Sequence, residues 1–433
     1  MYSVVSELRK ESLSLRNRLQ SVVYDSKYVA SLELAVPLIA NERCGLWYVP
    51  HPDGTCYFKS TDGHNEVWNF SQRRLNLQLF DHLKKSGGFA IVDSTRKGKL
   101  IPDALSKTIP IWIAVMNGLN PNVNDPKLIT PTELISPSIH SQIESKIEPF
   151  IAGARDLIPD STFDSILKPM YPMWIYPGKP IPTPPPDVYP VYLITSSKKV
   201  AATQRVTHEG TSWYYIQGSG DDHELWATDL PFLSPQVFWD VYPELIGESG
   251  YLDEYSDVEL KEMITWIYER RAKRQQESLE ADEASLVVTR VGDTGLGYAQ
   301  ITHNVAYTQL VKDHPDHQIV ILSKYYRVLD VPEKSSVVQF TIDEGKKGAK
   351  QLRDLLPKLI TELGSQVIVA CDTGKDLSIG VILVLLAQRY TTDWIRLEQP
   401  PRINKDVIKQ HLARIQGVNP SRNTLQSVNA YLM

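Results

Sequence analysis

The chain has 433 residues, of which 42% are hydrophobic and 22% are charged, and its formal net charge is −5. This composition is ordinary for a globular protein, is long enough for two domains, and excludes a collagen-like or intrinsically disordered chain. The mildly acidic average does not indicate nucleic-acid binding by itself, although it conceals local cationic clusters.

The cysteine count and the apolar runs bear on the cellular compartment. Three cysteines, Cys44, Cys56 and Cys371, are too few for a disulfide scaffold and favour a reducing compartment. The first 19 residues lack the apolar core of a secretory signal. No apolar run approaches the ~18 residues that a membrane span requires. We therefore expect a cytoplasmic protein without a membrane anchor.

Helices and short strands alternate in the first part of the chain. The predicted elements are a helix over 7–35, extended segments at 44–50 and 56–60, a helix over 75–85 ending at Gly87, a strand at 89–92, and an apolar segment at 110–116. Seven prolines between residues 177 and 190 predict an extended surface connection. Strands are predicted after it at 191–194, 200–206 and 213–216.

The highly charged segment 257–285 is predicted to be helical and to link an N-terminal domain, 1–283, to a C-terminal domain, 284–433. Strands are predicted there at 286–290, 318–322, 337–341 and 366–370, and helices at 348–363, 378–390, 405–415 and 421–432. This order indicates an α/β domain with a mainly parallel sheet. Such sheets bind ligands at the carboxyl ends of their strands.

The turn after the last predicted strand has the layout of a phosphate-binding loop. Cys371, Gly374 and Ser378 fit the pattern of Cys-dependent phosphatases, which is Cys, five residues, Arg, then Ser or Thr. Backbone N–H groups in such a turn and the positive end of the following helix attract an anion. Leu377 occupies the arginine position, so the bidentate fork for a transferring phosphoryl group is missing. The motif predicts a phosphate site without phosphatase chemistry.

Other residues of this loop suggest specific roles. Lys375 can place a positive charge over the loop, and Asp376 can accept a proton or hold a metal-bound water. Cys371 could act as a nucleophile, but without the arginine we favour a thiol that is structural or lines the anion. Asp372 and Thr373 complete the predicted loop. The alternative is a tight strand–helix connection that binds nothing.

Two further polar segments lie in the N-terminal part. The loop after strand 89–92 contains Asp93, Ser94, Thr95, Arg96, Lys97 and Lys99. An acid, hydroxyls and cations together can hold a phosphate or phosphoribosyl group, although an ordinary surface loop has a similar composition. Asp221 and Asp222 lie in a glycine-rich turn, where their oxygen atoms could bind Mg²⁺, and a solvated hairpin is the alternative. No cysteine and histidine spacing indicates zinc.

Cationic residues form four groups: Arg9, Lys10, Arg16 and Arg18; Arg96, Lys97 and Lys99; Lys198, Lys199 and Arg205; and Arg270, Arg271, Lys273 and Arg274. Any one group is explained by a solvated helix face or turn. Two or three groups together could form a basic surface.

Five segments in a fixed order resemble the initiator-tRNA phosphoribosyltransferases, or tRNA 2′-O-ribosylphosphate transferases, of fungi and plants. The segments are 58–64, 92–107, 220–224, 371–378 and 418–429, and they extend over nearly the whole chain. The resemblance implies a family-specific N-terminal α+β domain and a C-terminal dual-specificity-phosphatase-like α/β domain with a mainly parallel sheet. It also implies transfer of ribosyl phosphate to a ribose 2′-OH in the T stem of initiator tRNA, which blocks the use of that tRNA in elongation. Leu377 fits the family pattern.

The resemblance further implies phosphoribosyl pyrophosphate as donor, initiator tRNA as acceptor, Mg²⁺ as cofactor and a monomeric enzyme. Residues 371–378 would bind the donor, with Lys375 and Asp376 as catalytic residues. Residues 94–99 together with Lys59 and His64 would bind either the donor or tRNA. One alternative is a catalytically inert, phosphatase-like RNA-binding protein. The other is a true Cys phosphatase, against which the missing arginine argues.

Overall fold

The computed structural model describes residues 12–64, 67–96, 98–221, 223–247, 250–252, 255–279, 286–399 and 401–433. The chain forms two compact units, one of Met1–Ser71 and Asn76–Arg270 and the other of Gln72–Leu75 and Arg271–Met433. The predicted domain boundary between residues 283 and 284 lies outside the described residues. Within the described ranges, no helix is long and apolar enough to cross a bilayer.

The first unit contains a parallel sheet and most of the short strands. Its strands are β1 Leu38–Asn41, β2 Gly54–Cys56, β3 Gly63–His64, β4 Val67–Trp68, β5 Phe89–Asp93, β6 Met170–Ile175, β7 Tyr189–Thr195, β8 Gln204–His208 and β9 Thr211–Tyr215. Its helices are α1 Leu15–Ser31, α2 Leu79–Ser86, α3 Ile109–Leu119, α4 Pro137–Glu144, α5 Ile147–Ala154, α6 His223–Trp226, α7 Pro235–Leu245 and α8 Asp257–Leu279, the last of which continues past the unit boundary. Residues Ala104–Thr108 form a π-helical turn ahead of α3.

Five strands of this unit form one sheet in the order β2-β1-β5-β7-β6, and every neighbouring pair is parallel. Every residue of the middle strand β5 is buried, as is typical of parallel sheets. The α/β class with a mainly parallel sheet is confirmed. The sheet of this unit is wholly parallel, although the proline-rich connection rather than a helix joins β6 to β7, and the pairs β3–β4 and β8–β9 outside it are antiparallel.

Local signals explain the observed helix ends in the first unit, although the first helix ends at Ser31 and not at the predicted residue 35. Helix α1 begins after Ser14, whose side chain accepts a hydrogen bond from the Asn17 N–H. Helix α2 ends at Gly87, which has a left-handed backbone with φ +68°, as the sequence predicts. The predicted residues of the first helix up to residue 11 lie outside the described ranges. The apolar segment at 110–116 is the buried helix α3.

The second unit contains the predicted phosphatase-like sheet. Its strands are β10 Val288–Arg290, β11 Leu296–Gln300, β12 Val305–Ala306, β13 Gln318–Leu322, β14 Val328–Leu329, β15 Val337–Phe340 and β16 Val367–Cys371. Its helices are α9 Tyr307–Asp313, α10 Gly345–Glu362, α11 Leu377–Arg389, α12 Lys405–Arg414 and α13 Arg422–Leu432. The sheet order is β10-β11-β16-β13-β15, and only the β10–β11 pair is antiparallel. Strand β16 is therefore central.

Candidate active site

Cys371 is the last residue of the central strand β16, and the sheet register places it beside Gln300 and Leu322. Its side chain is buried, and its Sγ atom lies 3.1 Å from Ser378 Oγ and 3.6 Å from Thr373 Oγ1. The thiol thus has hydroxyl partners in the loop and in the first turn of α11. This geometry fits a thiol that holds the loop against the helix.

The loop after Cys371 is a compact turn that requires glycine. Gly374 has φ +64°, and a Cβ atom on it would lie 2.9 Å from the backbone nitrogen of Gln300. The Gly374 N–H donates to the Cys371 carbonyl at 3.1 Å, and the Lys375 N–H donates to Thr373 Oγ1 at 3.2 Å. Among the described residues, no side chain caps α11 at Asp376, so the N–H groups of its first turn can serve an anion.

The Asp372 carboxylate is anchored to the end of the neighbouring strand β13. It accepts hydrogen bonds from the Ser323 hydroxyl and, at 3.1 Å, from the Lys324 N–H. Its own carbonyl accepts from Gln300 Nε2 at 3.0 Å. These contacts fix the direction of the loop as it leaves the sheet.

The Asp376 carboxylate is anchored to the start of α13. Its Oδ1 atom accepts hydrogen bonds from the Ser421 N–H at 2.8 Å and from the Thr424 hydroxyl at 2.5 Å. The structure thus joins two segments that the sequence identifies separately, 371–378 and 418–429. Asp376 has a structural function in addition to any chemical role.

Leu377, at the position of the phosphatase arginine, belongs to the hydrophobic core of this unit. Its side chain is 4% exposed and faces Gly348 of α10, where a Cβ atom would lie 3.4 Å from Leu377 Cδ1. This position therefore contributes no charge to the anion loop. Lys375, which is half-buried, remains the cation within the loop itself.

Glu344 was not identified from the sequence as a site residue. It precedes α10, and the residue as a whole is exposed, although neighbouring atoms cover part of its carboxyl group. Partial burial of the carboxyl group raises its pKa above the usual range, and the charges of Asp372 and Asp376 raise it further. The charges of two loop carboxylates thus influence Glu344, which makes it a candidate proton acceptor. No sequence signal could have linked it to a loop that begins 27 residues later.

A second polar site lies at the carboxyl ends of β1, β5 and β7 in the first unit. Asp93 lies opposite Thr195 in the register, and Asn41 Nδ2 donates to Asp93 Oδ2 at 3.0 Å. Asp93 Oδ1 accepts from Cys44 Sγ at 2.8 Å and from the Ser94 N–H at 2.9 Å. The carboxylate is fully buried and its oxygen atoms are occupied, so Asp93 organises this edge of the sheet.

Arg43 joins two of the predicted motifs. Its Nη2 atom lies 2.6 Å from the Ser94 carbonyl, 3.4 Å from Asp93 Oδ1 and 3.5 Å from Asp221 Oδ1. The charge of Asp93 is the largest influence that raises the pKa of Arg43, so the guanidinium stays charged. Burial raises the pKa of Asp221, and Arg43 opposes this effect. Asp222, the other predicted metal ligand, lies outside the described residues.

The turn 217–221 packs directly on the loop 94–99. Gly218 has φ +64°, and a Cβ atom on it would lie 2.5 Å from the Thr95 carbonyl oxygen. Gln217 Oε1 accepts from the Gly98 N–H at 3.0 Å, and Gln217 Nε2 donates to the Lys99 carbonyl at 2.7 Å. Residues that are 119 positions apart in the chain therefore form one site.

The other predicted binding residues are placed as follows. Ser94 and Thr95 are buried, Arg96 is exposed, and Lys99 Nζ forms an ion pair with Asp103 at 2.9 Å. Lys97 lies outside the described residues.

The polar turn 58–64 is only partly described. Lys59 is exposed, and its carbonyl accepts from the Thr108 hydroxyl at 3.1 Å. His64 lies in β3, but its side chain is outside the description. Across the described ranges, no group of three or more His, Cys, Asp or Glu side chains is arranged to hold a metal ion.

Comparisons with known proteins cover both parts of the chain. Residues 8–269 match the family model described as the Rit1 N-terminal domain, and residues 336–432 match the Rit1 DUSP-like domain. The chain is 34% identical to the tRNA A64-2′-O-ribosylphosphate transferase of Saccharomyces cerevisiae, over 99% of this chain and 94% of the yeast protein. It is 29% identical to an uncharacterized protein of Schizosaccharomyces pombe, over 99% and 96% of the two chains. The crystal structure of the Yvh1 phosphatase domain from Chaetomium thermophilum matches 34% of this chain and 95% of its own length, with 16% identity and a TM-score of 0.26.

Proposed function

Because the chain belongs to the initiator-tRNA phosphoribosyltransferase family, we propose that it modifies tRNA by transferring a ribosyl phosphate to a ribose 2′-OH. The observation that carries this function is the 34% identity to a named tRNA ribosylphosphate transferase over 99% of the chain. The more specific parts of the proposal are phosphoribosyl pyrophosphate as donor, the T stem of initiator tRNA as acceptor, and a monomeric enzyme.

The loop 371–378 supports the assignment of the donor phosphates to the second unit. A compact turn, the uncapped start of α11 and the cation of Lys375 together provide donors and positive charge for an anion. The reaction breaks a carbon–oxygen bond of the donor and forms no phosphoryl-enzyme. A core leucine at position 377 is therefore compatible with it.

In the proposed reaction, the bond between ribosyl C1 and the pyrophosphate oxygen breaks, and pyrophosphate leaves with the electron pair. The 2′-oxygen of the acceptor bonds to C1, which passes through an oxocarbenium-like state, and the hydroxyl proton moves to a carboxylate. Asp376 and Glu344 are the two candidates for that carboxylate. Lys375 would stabilise the negative charge that develops on the leaving group.

Mg²⁺ would supply further charge stabilisation for the leaving pyrophosphate. Mg²⁺ usually keeps several waters and binds through substrate phosphates and one or two carboxylates. This mode fits the carboxylates near the loop, Asp372, Asp376 and Glu344, although the described residues form no protein-only metal cluster.

A cleft in the first unit is suited to tRNA phosphates. It has a volume of about 730 Å³ and is lined by Arg16 and Arg205, which come from two of the cationic groups, by Tyr214 and Tyr255, and by one acidic residue, Asp257. Arginine side chains bind phosphate, and aromatic faces can stack on bases that leave the helix. We assign RNA contacts to this cleft.

The test is incubation of the pure protein with initiator tRNA, Mg²⁺ and donor labelled in its ribose. We expect the label in initiator tRNA and little in elongator methionine tRNA, and no transfer to a tRNA whose acceptor ribose is 2′-deoxy. Binding of tRNA without donor-dependent labelling would instead support the inert RNA-binding alternative. Turnover of a generic aryl phosphate would support a phosphatase.

A further inference from the structure

Three arginines from different segments converge on the turn 218–221 of the first unit. Arg43 lies 3.5 Å from Asp221, as described above. The Cβ atom of Arg96 would lie 3.1 Å from a Cβ atom built on Gly218. The Arg18 carbonyl accepts a hydrogen bond from the Ser219 hydroxyl at 2.6 Å. Burial lowers the pKa of the Arg18 guanidinium, and the positive charge of Arg96 lowers it further. Three arginines and the buried carboxylates of Asp93 and Asp221 therefore lie around the carboxyl edge of a parallel sheet, where α/β folds bind ligands.

Buried polar atoms at this edge lack hydrogen-bond partners. Among the described residues, Arg43 Nε and Thr195 Oγ1 are buried and make no hydrogen bond, whereas Asp221 Oδ1 accepts no hydrogen bond but forms the 3.5 Å ion pair with Arg43 Nη2. Thr195 is completely buried, and Asp221 is 6% exposed. Most buried polar groups in proteins are paired, and leaving one unpaired is costly. Two buried donors without partners, beside a carboxylate–guanidinium ion pair at one edge of a sheet, indicate a polar ligand.

We propose that this edge of the first unit binds a phosphorylated ribose. The guanidinium groups of Arg43 and Arg96 would bind the phosphate, and Asp221 would accept a hydrogen bond from a ribose hydroxyl. Asp93 is saturated by its own neighbours and acts as a positioning residue for Arg43. The Cys44 thiol is buried and donates to Asp93 Oδ1 at 2.8 Å, so we assign it no covalent role at this site.

The choice of ribose rests on the proposed function, because the reaction joins two phosphorylated riboses. One belongs to the donor and the other to the acceptor nucleotide of tRNA. The anion loop of the second unit and this sheet edge provide one phosphate site in each unit. If the loop 371–378 holds the donor, the sheet edge holds the tRNA nucleotide, and the reverse assignment is equally consistent with the chemistry.

The test is direct binding to the full chain, measured without transfer. Titration calorimetry with ribose 5-phosphate, phosphoribosyl pyrophosphate and inorganic phosphate would be combined with filter binding of tRNA at several salt concentrations. The variants are Asp221→Asn, which keeps the side-chain shape, and Arg96→Ala, which alters an exposed residue. Lys127→Ala removes an exposed positive charge from the same unit and is the matched control.

We expect both site variants to weaken binding of a phosphorylated ribose at least about tenfold, while Lys127→Ala has no effect. If the site variants bind ribose 5-phosphate and phosphoribosyl pyrophosphate more weakly, the ligand of this site is the donor. If the variants bind the sugar phosphates normally but bind tRNA more weakly, the ligand of this site is the RNA nucleotide. Binding of tRNA by Arg96→Ala should then also depend less on the salt concentration. Wild-type binding of every ligand by both variants would overturn the proposal. So would a preference for inorganic phosphate that Asp221→Asn leaves unchanged. A chain that binds these ligands but transfers nothing would contradict the proposed function alone.

Discussion

The Oδ1 atom of Asp376 lies 2.5 Å from the hydroxyl oxygen of Thr424, and the same atom accepts the Ser421 N–H at 2.8 Å. The residue that precedes α11 therefore also anchors the start of the last helix, whose N-cap residue is Ser421. A substitution that removes the carboxylate tests two roles at once, and the roles have to be separated by the choice of side chain.

Asp376→Ala should abolish transfer and lower the free energy of unfolding by about 1–3 kcal/mol, because two hydrogen bonds are lost. Asp376→Asn keeps an oxygen acceptor for both donors but cannot take a proton. We expect it to retain the melting temperature and to lose transfer by about 10²-fold or more. Thr424→Val is the matched control, since it removes only the hydroxyl and should lower stability without abolishing transfer. Full activity of Asp376→Asn would leave Glu344 as the proton acceptor.

Lys375→Ala should raise the Michaelis constant for the donor and strongly reduce the transfer rate, because the loop loses its own cation. The protein should remain folded by circular dichroism, since the side chain is not part of the core. Lys346→Ala, on the exposed start of α10, should have little effect on either parameter. If the two alanine variants behave alike, Lys375 does not contact the donor.

Cys371→Ser should keep substantial transfer activity. Direct attack by the 2′-OH needs no thiolate, and the serine hydroxyl can replace the thiol in its contacts with Ser378 and Thr373. Mass spectrometry of the wild-type protein with labelled donor should detect no covalent adduct. A folded serine variant that binds donor but is inactive would be evidence for nucleophilic catalysis.

The pH dependence of transfer tests Glu344. Burial and two neighbouring carboxylates raise the pKa of its carboxyl group, and only the ionised form accepts a proton. The rate should therefore rise with pH as Glu344 ionises above the usual glutamate range. Glu344→Gln should lower the rate of transfer and abolish this rise of the rate with pH. An unchanged pH profile in Glu344→Gln would exclude Glu344 as the base and leave Asp376.

Gly218→Ala should destabilise the first unit, because a Cβ atom would collide with the Thr95 carbonyl at 2.5 Å and the backbone has φ +64°. We expect a loss of more than about 1 kcal/mol in thermal unfolding. Gly210→Ala is the control, because Gly210 also has a positive φ of +83° but faces open space. Its smaller loss measures the backbone strain alone. Equal losses of stability in the two variants would mean that the two loops move apart to accommodate the added methyl group at little energetic cost.

The sequence alone determined the local parts of this protein. The apolar runs of β16 and α11, the glycine that ends α2 and the proline-rich connection give local backbone structure directly, because each depends on neighbours a few positions away. The strand, loop and helix around Cys371 lie where these signals predict them. Strand β11, Leu296–Gln300, is missing from the predicted strands, since it follows a glycine-rich turn that predicts a loop.

Which of these local parts meet depends on how the whole chain folds. Parallel strands bring Asn41, Asp93 and Thr195 to one edge, and the packing of Gly218 on Thr95 adds Asp221 to it. The contact of Asp376 with α13 likewise depends on the chain's return to the loop. Residue spacing along a chain does not encode these distances, because the pairing of strands and the closing of long loops depend on the whole fold.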